Sequence, residues 1–173
     1  MSLQSLKSLF EWVDTFPSGI AIRESLVGYP VLLTSHVVSM CVFSGLIVMM
    51  DLRLLGMGNM GTPFTQVQKR LFAWQMFGMA TSFLTGLVLL YAQPMRFYGN
   101  FFFWVKEVMI ILAGINAYVF HKMTYRSVAS WDSGAITPSA AKWAGGLSLA
   151  LWAGVVVSGR LIAYNWFAPP GAP

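Results

Sequence analysis

Charged side chains are scarce in this 173-residue chain, where Asp, Glu, Lys and Arg make up 10% of the residues. Soluble domains carry about 25%, so the wet surface of such a fold cannot be built from this composition. Cysteine occurs once, as Cys41, which excludes an intramolecular disulfide and leaves the redox compartment unread. Histidine occurs only as His36 and His121. No CxxC, phosphate-binding glycine loop, dinucleotide fingerprint, HExxH or nucleophile elbow is present, so the usual signatures of soluble catalysis are missing. Neither histidine has a carboxylate placed to orient it beside a serine. No catalytic activity of the chain's own is expected.

What is there is apolar. Hydrophobic residues make up 57% of the chain, and four runs match the ~20 residues that cross a bilayer: about 28–50, 71–92, 104–125 and 144–166. The expected fold class is all-α, a four-helix transmembrane bundle in residues 28–166. Residues 1–27 form an amphipathic N-terminal segment, with Leu3, Leu6, Leu9, Phe10 and Val13 at helical spacing, suited to lying at the membrane interface. Pro17-Ser18-Gly19 is expected to stop that helix. Residues 167–173, APPGAP with a preceding Phe, read as an irregular proline-rich tail. Lys7, Glu11, Asp14, Arg23 and Glu24 interrupt the first 25 residues. They leave no pattern of a cleavable leader, and the mature chain is expected to begin near Met1.

The spans carry the usual marks of membrane helices. Thr62-Pro63 and Thr137-Pro138 precede the second and fourth runs, with threonine as expected cap and proline in the first turn. Trp12, Trp74, Trp104, Trp143 and Trp166 fall near span ends, as an aromatic belt requires. Small residues recur at four-residue spacing (Gly78, Ser82, Gly86; Gly154, Ser158), a device for close helix approach in lipid. The net charge of +5 comes from basic residues spread over loops beside the apolar runs. That is the pattern of membrane topology, and nucleic acid is not an expected partner.

Four spans put both termini on one side, here side A, with the 93–103 loop. Side B carries six basic residues (Arg53, Lys69, Arg70, Lys122, Arg126, Lys142) against five on side A (Lys7, Arg23, Arg96, Lys106, Arg160). The bias makes side B cytoplasmic, with periplasmic termini, in a multi-pass protein of a bacterial inner membrane.

An ionisable group within a bilayer is costly enough to mark a candidate site. At ~1.5 Å of rise per residue, His36 lies ~4–5 Å from the midplane toward side A, and His121 ~10 Å toward side B. Two axial ligands of one haem must face each other at one level, which disfavours a haem held by His36 and His121 together. His121, followed by Lys122 and Arg126, reads as an interfacial residue with Asp51 as a neighbour across the bundle. Asp51 and Arg53 read as an interface ion pair that orients the following loop. Glu107 and Arg160 fall ~11 Å and ~7–8 Å toward side A, where pairing would lower the desolvation cost of each. The expected site is therefore a polar cluster of His36, Glu107 and Arg160. An ion pair fixing helix packing beside a hydrogen-bonded histidine is the structural alternative.

Several ligands fit that cluster. A b-type haem would take His36 as metal ligand and Arg160 as propionate partner, with five-coordinate iron or a second His36 from a symmetric dimer. A quinone would accept hydrogen bonds from His36 or Arg160. Copper(I) would suit His36 and Met40 at i,i+4 spacing, with Cys41 nearby.

The stretches ESLVGYPVLLTSHVVSM, DLRLLG, FFFWVKEVMIILAGINA and GRLIAYNW, covering residues 20–167, resemble a bacterial four-helix membrane family of unknown function, distantly similar to CopD-like copper-resistance domains. The resemblance implies a four-helix inner-membrane protein and supplies no activity. The reading is a small membrane subunit of a larger assembly, an electron-transfer system with His36 at a haem or quinone. Lipids and other membrane subunits, or further copies of the chain, are its expected partners. A cofactor-free structural anchor is the alternative, and a copper-related or small-solute transporter comes after it.

Overall fold

The computed structural model describes residues 3–58, 61–132 and 136–164, and every regular element among them is helical. The 167–173 tail and Trp166 lie outside the described residues. The N-terminal segment holds two helices, α1 (Leu3–Asp14) and α2 (Pro17–Glu24). Pro17 ends the first by starting the second: it occupies the first turn of α2, where its missing N–H costs nothing and its fixed φ is already helical. An Arg23–Asp14 ion pair of 2.9 Å ties the two helices together.

Next come α3 (Gly28–Leu55), α4 (Phe64–Ala92), the short α5 (Pro94–Tyr98), α6 (Phe101–Val119) and α7 (Ser139–Leu161). The third long helix continues beyond α6 through a π-helical turn at Phe120–Thr124 and a 3-10 helix at Tyr125–Ser130. Four segments are long and apolar enough to cross a membrane: Gly28–Leu55, Phe64–Ala92, Phe101–Ser130 and Ser139–Tyr164. Phe77, Phe83, Ile111 and Ile115 all point outward. Contiguous apolar surface of this kind is avoided in water and natural in lipid. The chain is an all-α bundle and, by these helices, a multi-pass membrane protein.

Local chemistry sets the helix ends. α3 stops at Gly56, whose φ of 81° lies in the left-handed region. Met57 N–H then bonds back to the Leu52 carbonyl at 2.9 Å, the glycine-terminated closure common at helix C-termini. The starts of α4 and α7 differ from expectation. Pro63 and Pro138 themselves occupy the N-cap positions and offer no capping side chain. Asp132 does the work for α4 from another part of the chain. Its carboxylate accepts from Thr65 N–H at 2.8 Å and Thr65 hydroxyl at 2.6 Å, and its carbonyl accepts from Phe64 N–H at 3.3 Å. A carboxylate at a helix N-terminus satisfies orphan donors and meets the positive end of the helix dipole.

The spans pack in the order α4, α3, α7, α6, while α4 and α6 barely touch. Small residues set the close approaches: a Cβ on Gly78 of α4 would sit 3.1 Å from Phe43 Cβ of α3. Polar side chains add cross-helix bonds, Asn116 to the Ala144 carbonyl at 2.9 Å and Gln75 to the Leu46 carbonyl at 3.4 Å. The N-terminal helices sit at the α5 end, where Phe10 packs on Tyr98 with ring centroids 5.2 Å apart.

The best-buried core lies at the opposite, side B end. Met50, Leu54, Phe64, Val67, Trp131 and Ala141 form it, with Phe120 and Tyr125 against it. Arg53 is buried there to 1% exposure. It does not pair with Asp51: its guanidinium donates to the Thr62 carbonyl at 3.2 Å and reaches the Asp132 carbonyl at 3.5 Å. Asp51 faces α7 instead: a Cβ on Gly145 would meet its main-chain carbonyl at 3.1 Å, and its Oδ2 is buried without a hydrogen-bond partner among the described residues. The expected ion pair is thus replaced by a guanidinium on main-chain carbonyls. Turn carbonyls lack ladder partners, and a planar five-donor group can serve two of them at once. The loop-orienting part of the expectation holds.

Candidate functional site

His36 sits on α3, half-buried against α4. Its Nδ1 lies 3.0 Å from the Ser82 carbonyl oxygen and 3.0 Å from Thr85 Oγ1. A carbonyl only accepts, so Nδ1 carries the hydrogen. Thr85 spends its own proton on the Thr81 carbonyl at 2.7 Å, which leaves its lone pairs for the same Nδ1–H. In the neutral ring the tautomer is then fixed, and Nε2 is a bare lone pair. Among the described residues Nε2 has no hydrogen-bond partner. Gly86, one turn beyond Ser82, leaves the ring its space: a Cβ there would lie 3.0 Å from His36 Cε1. The small-residue stripe of α4 thus serves two ends, seating Phe43 at Gly78 and His36 at Ser82 and Gly86.

The other expected members of the site are placed differently. Arg160 is exposed, donates to Tyr164 Oη at 3.1 Å, and holds its guanidinium 5.2 Å from the centre of that ring. Glu107 is half-buried and within electrostatic range of Lys106. No ion pair joins Glu107 to Arg160 among the described residues. A shared leaflet was the basis for pairing them, but each residue also turns the helix by 100°, and depth says nothing of that direction.

Lys106 is the neighbour that depth reasoning missed. It lies within electrostatic range of His36, and its Cδ lies 4.0 Å from where a Cβ on Gly159 of α7 would be. The signal was in the sequence. Lys106 lies three residues after Phe103 and seven before Ala113, the two buried residues of α6, so all three share one inward helix face.

His121 is exposed in the π-helical turn and stacks on Tyr125, with centroids 4.7 Å apart and planes 17° from parallel. Asp51 is not its partner. Of the candidate copper donors on α3, Met40 is half-buried and Cys41 exposed. No three His, Cys, Asp or Glu side chains converge among the described residues.

A family of unknown function, DUF6644, matches residues 9–165. The chain belongs to that family. No curated protein and no solved structure matches it. The family description assigns no chemistry, so any activity has to be argued from the residues themselves.

Proposed function

We propose that this protein is a small membrane subunit of an electron-transfer assembly, with His36 as the contact to a b-type haem or a quinone. One observation carries the reading: the His36 ring is held through Nδ1–H by a backbone carbonyl, with Nε2 unpartnered. A metal-binding histidine is commonly oriented in this way, its other nitrogen donating to a carbonyl or carboxylate. A haem bound here would supply one-electron redox chemistry. The described residues offer His36 as one ligand and no facing histidine, which suits five-coordinate iron or a symmetric pair of chains with two His36 rings at equal depth. Glu107 and Arg160 stay in this reading as polar groups of the same leaflet, Arg160 reaching a propionate only by leaving Tyr164.

Lys106 favours the quinone form of the same site. A lysine within electrostatic range of a histidine lone pair offers a donor and an acceptor in one region, which suits the two oxygens of a quinone–quinol couple.

The test is a visible spectrum of the protein purified from a membrane in mild detergent. A Soret band that His36→Ala removes, with helicity by circular dichroism unchanged, supports haem. A colourless protein that retains extractable quinone, lost in the same variant, supports the quinone form. With neither ligand, the cofactor-free anchor replaces this reading.

A further inference from the structure

Where the third span leaves its regular helix, the π-helical turn at Phe120–Thr124 gathers charge and aromatic surface on one side. Tyr118, Lys122 and Arg126 follow one another at four-residue spacing, with His121 beside them. Together with Ala117 they border an open hollow of about 450 Å³. Lys122 Nζ lies 5.6 Å from the centre of the Tyr118 ring, and His121 is held flat against Tyr125. Two full positive charges and an imidazole thus share one rim, with no acidic side chain among the residues that border it. Toward the middle of the span the same helix exposes Ile111, Ile115 and Tyr118. A basic rim above an exposed apolar helix face matches an acidic headgroup above its acyl chains. Helical π-turns also occur often at functional sites.

We propose that this hollow binds the phosphate of an anionic phospholipid, with Lys122 and Arg126 as its charge partners, His121 as an added hydrogen-bond donor, and the acyl chains lying along Ile115 and Ile111. Basic clusters at the end of a span attract acidic lipids in proportion to their charge. The geometry adds a defined seat, because Tyr118 and Tyr125 brace the side chains that would otherwise splay into solvent. This site is separate from His36 and stands whether or not a cofactor is bound there.

The test uses the full-length protein in vesicles of phosphatidylcholine containing one-fifth phosphatidylglycerol. Spin-labelled phosphatidylglycerol and spin-labelled phosphatidylcholine report the lipid immobilised on the protein. Wild type is expected to prefer phosphatidylglycerol severalfold, and K122Q/R126Q to lose most of that preference, at ~5-fold per basic side chain as an upper value. K69Q/R70Q, which removes two side B charges from α4, is expected to keep the preference. A wild-type preference of one overturns the proposal. So does an unchanged preference in K122Q/R126Q with native helicity, or an equal loss in both double variants, which would mark a diffuse surface charge. Displacement of the bound lipid by 10 mM inorganic phosphate would assign the hollow to free phosphate and overturn the lipid.

Discussion

The two ends of the bundle solve opposite problems. At side B a full charge, Arg53, is sealed at 1% exposure and satisfied by carbonyls. Toward side A, His36 is half-buried and keeps an unpartnered nitrogen, and Lys106, within its electrostatic range, makes no ion pair among the described residues. A buried charge with its donors occupied can only be structural. A half-buried ring with one nitrogen held and the other bare has capacity left for a ligand. Of these two residues, the sealed arginine belongs to the scaffold, and the histidine with bonding capacity to spare marks the candidate site.

Breaking the sealed end should cost most. Arg53→Ala removes the guanidinium that the Thr62 and Asp132 carbonyls share, leaves a void in the side B core, and is expected to destabilise by about 3 kcal/mol. Thermal unfolding in detergent, followed by circular dichroism, would read the loss. A variant as stable as wild type would remove the distinction between the two ends. Gly145→Ala comes next, because its Cβ would meet Leu54 Cβ at 2.9 Å and the Asp51 carbonyl at 3.1 Å. Two helices must move apart to admit it, at about 1–3 kcal/mol in the same assay.

His36→Ala should cost less stability, about 1 kcal/mol for the lost hydrogen bonding, while removing any bound chromophore. A loss above 3 kcal/mol with no spectral change would make His36 part of the scaffold. Glu107→Gln closes the series with an expected change under about 0.5 kcal/mol, since no ion pair holds that carboxylate. A large loss there would restore the acidic partner that Arg160 lacks.

The four long helices were legible because a bilayer-spanning segment announces itself by apolar length alone. Caps were less legible. Thr62 had the right chemistry in the right place, yet Asp132 took the role from 67 residues past Thr65. Such a bond depends on how two loops fold over one another, which no local pattern contains. Arg53 was misread for the same reason: proximity in sequence to Asp51 suggested a pair, and the geometry sent one group to loop carbonyls and the other to α7. His36 was picked out by its cost in lipid, but its partners on α4 and its neighbour Lys106 depend on helix rotation and packing order. The Phe103–Lys106–Ala113 face shows that part of this information was available and unused.

The partners of Arg53 are also spread out in time. One accepting carbonyl, that of Thr62, is made nine residues after the arginine; the other, that of Asp132, comes 79 residues after it. The α4 cap waits for the same aspartate. During synthesis the first two spans therefore exist with an incompletely satisfied arginine and an uncapped second helix. The side B end can close only when the third span has been made and its loop has folded back. Chains shortened before Asp132 should accordingly hold two spans that are threaded but not locked, and the last residues of that loop act as the latch for the first.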